Sequence, residues 1–121
     1  FRACLLCADG YMVLWDYKNA QFLAKSNPLV SEIRSGADMF YFTRGDRIGT
    51  AADAFAAEVM DLLATHASGH VQIGIDKIHP AGLDAIRRAG LEYRDGEEVT
   101  ERTRAIKTEH ELRAMRCAIH A

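Results

Sequence analysis

The chain has 121 residues, 49% hydrophobic and 26% charged, which is enough for a domain with a packed core. Its formal charge of -2 provides no basic stripe for a nucleic acid and no basic amphipathic segment for a membrane surface. No apolar run approaches the roughly 18 residues of a membrane span, and the opening FRACLLCADG lacks the basic leader of a signal peptide.

In chain order, apolar runs over 2–7 and 11–16 flank Asp9-Gly10, a hairpin signal whose favoured two-residue turn needs positive φ at both positions. A second turn at Lys18-Asn19 leads to a third strand over 21–25, so the chain is expected to open as an antiparallel meander. Asn27-Pro28 reads as cap and first residue of a short helix over 29–35, stopped by Gly36. Met39 to Phe42 reads as an aromatic strand, and Arg44-Gly-Asp46 as the loop after it.

The strongest helix spans 50–66, capped by Thr50, with Phe55, Val59, Leu62 and Leu63 on one face. Residues 71–75 form a buried strand. His79-Pro80 starts a helix with Leu83 and Ile86 inward, Gly90 stops it, and 91–94 is a final strand. An antiparallel opening followed by alternating strands and helices argues for one α/β layer structure with a mixed sheet and flanking helices.

Charges of both signs then crowd the stretch from Arg94 to Arg116. A helix over 97–103 would carry a Glu98–Arg102 pair, and 104–107 would bend. Thr108 and Glu111 complete a capping box for a last helix, in which Glu109 pairs with Arg113 and Leu112, Met115 and Ile119 share an apolar face. The absence of an initiating Met leads us to expect a fragment.

The chemistry-bearing residues are sparse. Cys4 and Cys7 are spaced C-x-x-C, but residues three apart on a strand face opposite ways, so they read as core cysteines. With Cys117 the count is odd, which favours a reducing cytoplasm over a disulfide framework. The five histidines are scattered, and neither a zinc pattern nor a P-loop nor a nucleophile elbow occurs. The expectation is no catalytic residue and no metal ligand in this chain. Four side chains are candidates to face a substrate: Trp15, Tyr17, Phe42 and Arg44. An aromatic wall can hold a cation. The competing readings are a core side chain for Trp15 and an exposed turn for Arg44.

The run Arg104-Ala-Ile-Lys107-Thr108-Glu109-x-Glu111-Leu112-x-x-Met115-Arg116-x-Ala118 resembles the junction of the creatinase/prolidase/Xaa-Pro aminopeptidase family. There, R-x-(I/L/V)-K-(S/T)-x-x-E-(I/L)-x-x-(M/I)-R-x-A joins an N-terminal domain to the pita-bread catalytic domain. Ile73-Gly-Ile-Asp76 resembles an upstream strand of that family. The resemblance implies a ribonuclease H-like N-terminal domain over 1–103, with 104–121 as linker and first helix of the catalytic domain. It implies a homodimer in which this domain is not catalytic but aids dimerisation and substrate access. Two divalent metal ions, held by two Asp, one His and two Glu, would lie downstream of the junction. The parent would then be a metal-dependent Xaa-Pro dipeptidase or creatinase-like hydrolase. Stretches 11–17, 27–34 and 39–46 also look like the dimethylsulfoniopropionate lyase branch, whose sulfonium substrate Trp15 could face. A free-standing binding or dimerisation module is the alternative from another class.

Overall fold

The computed structural model describes residues 2–16 and 20–120. The strands β1 (Ala3–Leu6) and β2 (Met12–Trp15) form the expected antiparallel hairpin, with Leu6 opposite Met12 and Ala3 opposite Trp15. Its turn differs from the two-residue form. Gly10 has φ of 89°, whereas Asp9 keeps an ordinary negative φ. The Gly10 amide donates to the Cys7 carbonyl (3.0 Å), the Cys7 amide to the Tyr11 carbonyl (2.9 Å), and Asp9 Oδ1 accepts from the Tyr11 amide (2.9 Å). The result is a three-residue loop with glycine in the left-handed position.

The stretch from 20 to 47 departs most from expectation. Residues 21–25 form no third strand; α1 (Gln21–Ala24) is a single helical turn. Helix-compatible side chains without apolar-polar alternation allow it. The proposed helix over 29–35 is absent too. Asn27 Oδ1 accepts from the Leu29 amide (3.0 Å) and the Asn27 carbonyl from the Val30 amide (3.2 Å), which closes a turn rather than starting a helix. The Ser31 amide then bonds to the Met12 carbonyl (2.8 Å), and β3 (Glu32–Arg34) runs parallel to β2, pairing Val13 with Glu32 and Trp15 with Arg34. The three-stranded sheet is therefore mixed, ordered β1-β2-β3. The aromatic strand at 39–42 is instead the entry to α2 (Tyr41–Arg44), with Asp38 accepting from the Phe40 amide (3.1 Å) and Thr43 Oγ1 (2.5 Å). A 3-10 turn, Gly45–Arg47, replaces the loop and feeds α3 (Ile48–His66), so Thr50 lies inside the helix rather than capping it.

Phe55, Val59, Leu62 and Leu63 are all buried, as the spacing requires. In the same compact unit (Phe1–Gln72 with Ile78–Glu92), α3 packs on α4 (Pro80–Arg88), and the largest fully buried side chains are Trp15, Met39, Ile86 and Val13. His79 caps α4 through Nδ1, which accepts from the Ala81 amide (3.2 Å). Gly82 in its first turn lies tight against Met39 and Ile78: a Cβ there would meet Met39 Sδ at 2.7 Å and Ile78 Cδ1 at 2.8 Å. A shallow groove of about 450 Å³ runs between α3 and α4 over Ala56, Ala57, Met60 and Ala85.

The second unit comprises Ile73–Lys77 and Tyr93–Ala121. The strands β4 (Gln72–Ile75) and β5 (Glu92–Asp95) pair in a two-stranded sheet of their own, not in the single mixed sheet expected, and β4 is exposed to half-buried where a buried strand was expected. Asp95 caps α5 (Gly96–Ala105) by accepting from the amides of Glu97 (2.8 Å) and Glu98 (3.4 Å). Gly96 is required by contact: a Cβ would meet the Ile75 and Asp76 backbone at 2.8–2.9 Å. Helix α5 runs two residues beyond the expected 97–103, so the bend falls after Ala105 rather than at Arg104. The capping box of α6 (Glu109–His120) is present. Glu111 Oε2 accepts from the Thr108 amide (2.8 Å), and Thr108 Oγ1 accepts from the Glu111 amide (3.3 Å). Arg102 pairs with Glu98 at 2.7 Å, while Glu109 pairs with Arg116 (3.6 Å) instead of Arg113. No residue of α6 is buried. No described helix is long and apolar enough to cross a membrane.

Candidate functional site

Within the first unit a chain of polar contacts starts at a buried anchor. Alternation along β2 turns Val13 and Trp15 inward, and Trp15 is 1% exposed. Its ring meets Phe55 edge-on, with centroids 5.0 Å apart. A buried indole N–H needs an acceptor, and Glu58, one turn along α3 from Phe55, supplies Oε2 at 2.7 Å. Arg34 Nη1 lies 3.4 Å from that same oxygen. The rest of the Arg34 guanidinium grips Glu32 through Nε (2.6 Å) and Nη2 (3.2 Å), a fork that only a planar cation makes. Glu32 Oε2 also accepts from the Tyr11 hydroxyl (3.3 Å). Tyr11 stacks on His66 (3.8 Å between centroids, 8° between planes), and His66 Nδ1 lies 2.9 Å from Asp9 Oδ2.

The electrostatics follow these contacts. The Arg34 guanidinium holds the Glu32 carboxyl below the ordinary glutamate range, and Glu32 raises Arg34 in return. The Tyr11 amide, and then His66, hold Asp9 low. Burial, followed by the charge of Glu32, pushes the Tyr11 hydroxyl up. At neutral pH the Asp9 and Glu32 carboxylates are ionised and the Tyr11 phenol is not. The network can lock β2, β3 and α3 together. It presents no nucleophile with an adjacent base, and no group of three metal-ligating side chains converges among the described residues.

The substrate-facing candidates fall in different places. Trp15 is interior, against Phe55 and Glu58. Phe42 is 89% exposed on α2, directly after the exposed side chains of Phe40 and Tyr41. Arg44, on the same short helix, is half-buried and donates from Nε to the Asp38 carbonyl (3.2 Å). Tyr17 lies outside the described residues. The cysteines are free thiols; Cys7 is buried and Cys4 is exposed, so only the former is a core cysteine. Sequence reading overlooked Glu58, Arg34, Glu32, Tyr11 and His66. Glu58 was visible as the carboxylate one turn from Phe55 on the rim of an apolar stripe. The i,i+2 pair Glu32 and Arg34 shares a face only once 32–34 is a strand.

Two curated proteins match over the full 121 residues. The chain is 58% identical to the dimethylsulfoniopropionate lyase DddP of Roseovarius nubinhibens and 59% identical to that of Roseobacter denitrificans. It spans 27% of the length of each. No protein-family model matches.

Proposed function

We propose that the chain is the non-catalytic N-terminal part of a dimethylsulfoniopropionate lyase in the creatinase/prolidase, pita-bread class. The observation that carries this reading is 58–59% identity, along the whole chain, to two lyases of that name. It favours the lyase branch over the Xaa-Pro peptidase or creatinase-like hydrolase that the junction alone suggested. The greater length of those relatives supports a domain of a larger enzyme over a free-standing module.

In this reading residues 1–103 are the ribonuclease H-like domain, and α6 is the first helix of the catalytic part, after the linker in 104–121. The mixed three-stranded sheet and its flanking helices agree with such a domain. Two divalent metal ions are proposed for the remainder of the enzyme, as the resemblance to the pita-bread class implies. Phe42, beside Phe40 and Tyr41, is proposed to face the substrate entrance of a homodimer, with Arg44 at its base. Trp15 serves from inside the fold, fixing the strand end that leads to Tyr17. Three free thiols suit a cytoplasmic enzyme.

The full-length protein, assayed with dimethylsulfoniopropionate and with Xaa-Pro dipeptides, should release dimethyl sulfide from the first and leave the second intact. Dipeptide cleavage without dimethyl sulfide would overturn the assignment. Phe42→Ala should lower kcat/KM several-fold without lowering the denaturation midpoint, since the removed ring buries almost nothing in this chain.

A further inference from the structure

We draw no further inference here: the strongest candidate, the shallow groove between α3 and α4 floored by Ala56 and Ala85, is lined mainly by small side chains, its rim charges Asp53 and Arg88 are paired with each other, and nothing in the structure shows what covers it.

Discussion

Two regions of this chain each carry a set of ion pairs and differ in what those pairs are tied to. In the first unit Arg34 joins Glu32 and Glu58, and Glu58 ends on the indole of a buried tryptophan. In the second, Glu98–Arg102 and Glu101–Arg104 lie on the surface of α5 and join no buried side chain to the fold. The first network converts side-chain geometry into strand and helix placement. The second shields one exposed charge with another and is easily replaced by water and salt. Counting charges would have ranked the two alike; following each pair to its anchor separates them.

Substitution should reproduce that ranking. Trp15→Ala removes the anchor and should cost about 3–5 kcal/mol in denaturant unfolding, through the cavity and the lost indole hydrogen bond to Glu58. Trp15→Phe, which keeps most of the volume, should lose only ~1 kcal/mol. Comparable losses for the two would place the anchor in the hydrogen bond rather than the ring. Gly96→Ala, where a Cβ meets unyielding backbone, should cost about 1–3 kcal/mol despite its place in the second unit. An unchanged midpoint would show that the β4 end and the start of α5 can shift apart.

The pH dependence comes next in size. Glu32 is depressed below the ordinary glutamate value of 4.5 by Arg34, so its contribution is complete above that value and fades as pH falls through the lower folded-state one. Glu32→Gln should flatten the acid limb of the stability curve between roughly pH 5 and 3. An unaltered limb would assign it to other carboxylates. Smallest of all, Glu98→Ala should change stability by less than about 0.5 kcal/mol, and added salt should erase even that.

The sequence made legible whatever was settled locally. A four-residue capping box marked α6, His79-Pro80 marked α4, and an apolar stripe of several turns marked α3 and its buried face. The stretch from 20 to 47 was not legible, because its elements are three or four residues long. At that length neighbours outweigh propensity: β3 exists because β2 offers a free edge, and α2 because Asp38 braces its entry through the Phe40 amide and Thr43 Oγ1. The site suffered for the same reason. Trp15 stood out as a large aromatic at a strand end, but its principal partners, Glu58 and Arg34, reach it only through α3 and through a strand misread as helix. Phe42 was visible as an aromatic, yet its near-complete exposure depends on 41–44 being helical.

The close fit of Gly82 against Met39 has a mechanical corollary. Met39 is buried, and one residue later the chain emerges as the exposed aromatics of 40–42. The first turn of α4 therefore acts as the seat of a pivot whose short outer arm carries Phe40, Tyr41 and Phe42. A methyl group added at position 82 would touch none of those rings and would still re-aim them, by unseating a buried side chain that pins their segment to the fold.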